Sequence, residues 1–387
     1  MVARPSSATS GARRSRRRTS ALIVLACLTA FTVVAAQSYV RALTAPGYST
    51  VADITSAWLR SHGARSLVDG AEAWWYSHHR PSQAPADVRR FPTTTTTDAS
   101  VALPTLPTPS GGLHPPGWQV AARDSTGRPA VYTSLFEPDP ALPSVVASVA
   151  VLPAVALRAH LVLGTAEPRR SSPSGIASVP PADVPHLIAT LNSGFRFSDI
   201  TGGVVADGRT VRALRDGQAT AAIDDRGQLT VGEWGRDVHP DGHLVAARQN
   251  LELIVDAGAA LPRAGRSDSR WGGAHLQYQF TWRSALGVDR HHDIVYVAGN
   301  RMDLAALAEA LVAAGAVRGM ELDMHSGMTA FSTWAPGADG TRMPTKLIAA
   351  MPGPADRYLE PDRRDFFYLT EATGKPARAA APTAGAR

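Results

Sequence analysis

Three short segments of this chain combine residue types that could do chemistry. The richest is Glu321-Leu322-Asp323-Met324-His325-Ser326-Gly327. Glu321 and Asp323 stand two apart in a strand-like stretch. Strand alternation would send both carboxylates to one face and Met320, Leu322 and Met324 to the other. Asn192-Ser193-Gly194-Phe195 sets a polar side chain and a glycine where a strand closes. Arg283-Ser284-Ala285-Leu286-Gly287 opens an otherwise apolar strand with an arginine. Paired carboxylates suit general acid and base work, and a guanidinium fork grips two oxygens at once. Spacing alone fits a second account equally well: an exposed strand end with ordinary acids, one of them paired with Arg283.

Several other chemistries drop out. The sequence has no G-x-S-x-G elbow, no HExxH, no P-loop and no G-x-G-x-x-G after a strand. Cys27, the only cysteine, lies in the apolar N-terminal run, so neither cysteine catalysis further along nor an intrachain disulfide is available. His239 and His243 flank a Pro-Asp-Gly loop, and His291-His292 fall on a hairpin tip. Metal ligands must be held by supporting contacts that loops supply poorly, so both pairs read as surface histidines.

The elements that must position these groups begin near Trp118. Residues 145–164 read as two strands broken at Pro153, and LELIVDAG (251–258) as a buried strand. GGVVADGRTV turns at Asp207-Gly208, TAAIDDRGQLTVGEW turns at Asp225–Gly227, and RSALGVD and DIVYVAG flank Arg290–His292. Residues 303–314 form the clearest helix, with Asp303 as N-cap, Leu304, Leu307, Leu311 and Val312 on one face, and Gly315 as the stop. The following VRGMELDM is strand-like, which makes a strand–helix–strand crossover. The expected fold is α+β: a mixed, largely antiparallel sheet with a few helices and at least one crossover, preceded by one N-terminal transmembrane helix. No repeat of fixed period points to a propeller or solenoid.

Ahead of that domain the chain changes character. Six arginines and no acid occupy residues 1–20, and the rest of the chain carries 33 basic against 33 acidic residues. A neutral body offers no footprint for a phosphate backbone, so nucleic acid is not an expected partner. Residues 21–40 are apolar and long enough to cross a bilayer. The arginine cluster would stay in the cytoplasm and the remainder face outward, as a single-pass membrane protein with an extracytoplasmic C-terminal domain. Val34 and Ala36 also fit a cleaved signal peptide. Residues 41–80 read as a juxtamembrane helical segment with Trp58, Trp74 and Trp75, resting at the headgroups or packed on the domain. Eight prolines and the Thr93–Thr97 run make 81–117 an extended linker, before a domain over 118–370 and a disordered tail at 371–387.

In order and flanking residues the three chemical segments resemble the phosphodiester glycosidases. That family carries Asn-Gly-Gly-Phe-Phe, Arg-x-Ala-x-Gly and Leu-Asp-Gly-Gly-Gly-Ser segments, here matched by Asn192–Phe195, Arg283–Gly287 and Leu322–Gly327. Phrases such as LRDGQA, VGEWGRDV, ARQNLELIVDAG and KLIAAM are similar to membrane-anchored actinobacterial members. Ser193 and Arg196 depart from the first motif, and Met324-His325-Ser326 replaces the glycine triplet that lets backbone approach a ligand. The resemblance implies an extracytoplasmic hydrolase cleaving a sugar-1-phosphodiester linkage in an envelope glycan or glycoconjugate. Asp323 and Glu321 would be the catalytic pair, with Arg283, Asn192, Gly194 and His325 binding substrate. It implies no cofactor; a divalent cation, if any, would sit beside Asp323. The altered triplet points to the alternative, a catalytically degenerate envelope module that binds glycan or protein. The sequence sets no oligomeric state.

Overall fold

The computed structural model describes residues 9–45, 47, 48, 50–166, 175–240, 242–337 and 341–372. Of the expected tails, residues 1–8 and 373–387 lie outside that set. Two compact units result: residues 1–45 with 50–68, and residues 46–49 with 69–387.

In the first unit, Thr9–Thr44 is one 36-residue helix. Its Leu22–Thr44 stretch, with mean hydropathy 1.9, is long and apolar enough to cross a membrane. The Thr50 side chain caps the next helix, Val51–Ser61, by accepting from the Asp53 amide. Trp58 Nε1 donates to Ser38 Oγ at 3.1 Å and Tyr39 Oη lies 2.7 Å from Thr55 Oγ1, tying these two helices together. The helical stretch after residue 50 breaks at Gly63, whose φ of 88° no helix accommodates, and resumes as Arg65–His78.

The second unit holds three antiparallel sheets. One has eight strands, with Ile294–Met302, Thr281–Asp289 and Ala316–Glu321 adjacent. Ile294–Met302 and Ala316–Glu321 both run antiparallel to Thr281–Asp289, so the helix Leu304–Ala313 between them is the expected crossover. Its N-cap is Asp303, which accepts from Ala306 N at 2.8 Å, and Gly315 closes it at φ 93°. Helix and sheet touch closely: a Cβ on Gly319 would stand 2.2 Å from Leu311 Cδ2. A second sheet contains Leu244–Gln249, and a third orders Phe331–Pro336, Leu187–Asn192, Phe366–Glu371 and Leu157–Val162 side by side. Ile188, Ile223, Leu286 and Phe367, drawn from all three sheets, share one core. The antiparallel α+β architecture is thus the expected one.

Two expectations need correction. LELIVDAG contributes only Val255–Asp256 as strand, because the chain bends after Gln249 to place Asn250 against Glu321, whose carbonyl accepts from Asn250 Nδ2. The Pro/Thr-rich stretch 81–117 is extended, as composition suggests, but it is no loose linker. Leu106 is 1% exposed and packs in the core beneath the crossover helix. Trp118 Nε1 donates to the Pro104 carbonyl at 2.9 Å, and Gly117 N donates to Pro92 O. A Cβ on Gly117 would meet Thr94 O at 2.2 Å. A fragment starting at residue 118 should therefore lose about 2–5 kcal/mol relative to one starting at residue 80, as when a large core side chain is deleted. Urea melts of the two fragments test this; equal midpoints would restore the linker reading.

Candidate functional site

Two strands from different sheets end side by side and build the site. Leu187–Asn192 and Ala316–Glu321 are joined just past their C-terminal ends, where the Asp323 amide donates to the Ser193 carbonyl at 2.9 Å; Leu322 N donates at 2.9 Å to Ser284 O on the neighbouring strand Thr281–Asp289. Asn192 is the staple. Its Nδ2 donates to Ser284 Oγ at 3.1 Å, and its Oδ1 accepts from Tyr296 Oη at 3.0 Å and Ala330 N at 3.2 Å. Asn192, expected to bind substrate, is 3% exposed with both ends of its amide engaged by the protein.

Asp323 is the centre. Its Oδ1 accepts from Met324 N at 3.0 Å, and its Oδ2 lies 2.8 Å from Arg364 Nη1. Arg364 is itself aimed by the Gly194 carbonyl, which accepts from Nη2 at 2.9 Å. Gly194 lies flat against the Arg248 guanidinium, where a Cβ would come within 3.1 Å. Burial pushes the Asp323 carboxyl up to about 6, with Arg364 and then Arg196 pulling the other way. Such a carboxyl is half protonated near pH 6 and can give or take a proton. Half-buried Arg196 lies on the Phe195–Asp199 loop, whose later residues are exposed. The Ser193 hydroxyl, beside Asp323, is buried without a hydrogen-bond partner among the described residues.

Glu321 and Arg283 form a separate pair. Arg283 Nη1 donates to Glu321, Nε to Met302 O at 3.0 Å, and Nη2 to the carbonyls of Leu276 and Gln279. Both side chains are almost wholly buried. Burial raises the Glu321 carboxyl, opposed by Arg283. Arg283 was expected to bind substrate; here its donors are spent on the protein, and it is placed as a brace. The Glu321 carboxylate, expected as a catalytic group, is committed to the same contact. The expected division of faces also fails at Met324, whose Sδ lies 3.7 Å from Arg283 Nη1.

His325 holds the left-handed backbone that glycine favours, φ 77°. Its amide donates to Trp282 O at 2.8 Å, and its Nδ1 lies 3.3 Å from both Tyr76 Oη and Thr281 Oγ1. The half-buried ring is therefore held at the site's edge.

The sequence reading missed Arg364, Arg196 and the buried pair of Arg248 with Asp365. The available signal was charge set in apolar strands and at their ends: Ala-Arg-Gln-Asn at 247–250 and Arg-Arg-Asp-Phe-Phe at 363–367. Among the described residues, no group of three or more His, Cys, Asp or Glu side chains is placed to hold a metal ion. The charges acting most strongly on Asp323 are cationic, a poor setting for a metal. A groove lined by Leu157, Arg158 and Ala372 lies elsewhere. Strand Phe366–Glu371 runs from Asn192 at one end to Leu157 at the other, which separates groove and site by its length.

No family model and no curated protein matches this sequence. Among solved structures, the chain is similar to the zebrafish N-acetylglucosamine-1-phosphodiester alpha-N-acetylglucosaminidase catalytic domain auto-inhibited by pro-peptide. Identity is 14% and the TM-score 0.42, over 75% of this chain and 97% of that one. It is also similar to a hypothetical protein from Synechocystis, at 12% identity and a TM-score of 0.37, over 62% of each chain. These are distant likenesses of fold, and no residue role is carried across from them.

Proposed function

We propose that this chain is a membrane-anchored, extracytoplasmic hydrolase that cleaves a sugar-1-phosphodiester linkage in an envelope glycan or glycoconjugate. The observation that carries the reading is the buried Asp323 carboxyl, titrating near 6 and flanked by Arg364 and Arg196. Glycosyl transfer to water needs a group that exchanges a proton or stabilises positive charge at the anomeric carbon. A phosphodiester needs cations for its oxygens. Asp323 supplies the first; for the second, half-buried Arg196 is the arginine that can reach a ligand, while buried Arg364, engaged with Asp323 and the Gly194 carbonyl, contributes its charge from behind. Asn192, Gly194 and the Arg283–Glu321 brace hold that set in place. Neither a cofactor nor a metal enters the scheme.

The test is hydrolysis of a panel of sugar-1-phosphodiesters by the purified protein. Turnover is expected, with a pH dependence inflecting near 6. The same carboxyl should act on stability. Its folded-state value is raised, so its contribution is fully present below about pH 4 and lost as pH rises through 6. One observation favours a binding module instead: Met324, 3% exposed, and His325 fill the positions where the resembled motif has glycines. No turnover across the panel, with retained affinity for a phosphodiester, would establish that second reading.

A further inference from the structure

We infer that the helix Arg65–His78 is a docking surface for a lipid headgroup layer. An ordinary surface helix turns its apolar stripe inward and its polar face to water. Here the solvent face carries Leu67, Ala71, Trp74 and Trp75, which share one side at helical spacing. Leu67 is 75% exposed, Trp74 60% and Trp75 53%, whereas Val68 is buried. The stripe contains no charged residue. Tyr76, on another side of the helix, turns to Thr281 and His325. The Trp75 ring is stacked on His79 at 3.8 Å, which holds the indole in a fixed pose outside the fold.

A lipid surface suits this face better than a protein partner for two reasons. Tryptophan is the residue favoured where hydrocarbon meets headgroups, since its ring is apolar and its N–H needs a wet acceptor. The same chain also carries, before this helix, an apolar helix long enough to cross a membrane. A helix with an apolar, aromatic face then rests along the interface.

The test uses the full-length protein reconstituted in phosphatidylcholine–phosphatidylglycerol vesicles, with either plain or brominated acyl chains. Trp118, Trp234, Trp271, Trp282 and Trp334 are buried, and half-buried Trp58 is a background common to every variant. Brominated chains should quench part of the wild-type emission, and Trp74→Ser/Trp75→Ser should lose that component. Trp74→Phe/Trp75→Phe, which keeps the apolar volume, should lose it too while melting like wild type. Equal quenching of wild type and both variants would overturn the inference, as would no quenching of wild type. Cross-linking between copies through this face, without bromine quenching, would replace the lipid with a second copy of the chain.

Discussion

Asp323→Asn is expected to lower sugar-1-phosphodiester turnover by roughly 10²–10⁴, the range lost when a general acid or base is removed. Asparagine keeps the oxygen that accepts from Met324 N, so the local backbone should hold and ligand affinity persist. Arg364→Gln supplies the companion readout. The arginine lowers the Asp323 value against the pull of burial. Removing it should therefore move the pH inflection above 6 and weaken phosphodiester binding together. A purely structural Arg364 would change the melt and leave the inflection in place. Full activity of Asp323→Asn would end the catalytic assignment.

Legibility in the sequence followed the range over which each feature is determined. The Asp207-Gly208 turn, the Asp303 cap and the Gly315 stop are fixed by a residue and its near neighbours, and the chain folds as they direct. The hairpin of Thr281–Asp289 with Ile294–Met302 was readable for the same reason. The stretch 81–117 was not, because composition reports what a segment cannot build by itself. It does not report that Leu106 and Trp118 find a core elsewhere. The site divides in the same way. Asp323 was visible from its own segment, as was the presence of arginine and carboxylate at strand ends. Which arginine meets which carboxylate was not visible. Asp323 pairs with Arg364, forty-one positions on, and Glu321 takes Arg283. Pairing between segments distant in the chain is set by topology, and spacing along one strand carries no trace of it. His325 shows a related limit. Its side chain suggests a departure from a glycine motif, yet its backbone takes the left-handed conformation that the glycine would have used.

The brace is where the largest loss of stability is expected. Glu321→Ala removes the carboxylate that pairs with Arg283 among the described residues, leaving a guanidinium 1% exposed with carbonyls and the Met324 sulfur for partners. Arginine cannot shed its proton to escape burial, so the cost should be about 3–5 kcal/mol, the range for breaking a buried pair from one side. Arg283→Met/Glu321→Leu together should cost less, since no buried charge is then stranded, although the carbonyls of Met302, Leu276 and Gln279 lose their donor. Denaturant melts of the single and double variants, closed as a cycle with Arg283→Met, measure the coupling directly. A brace predicts strong coupling and lower melting for Arg283→Lys, because lysine cannot reproduce the fork that meets Glu321 and three carbonyls. If Arg283→Lys melts like wild type but binds a phosphodiester more weakly, the arginine belongs to the ligand and Asp323 regains it as a partner. The geometry favours the brace: every terminal nitrogen of Arg283 already touches the protein, and the strand end that carries Asp323 is held from behind by that contact.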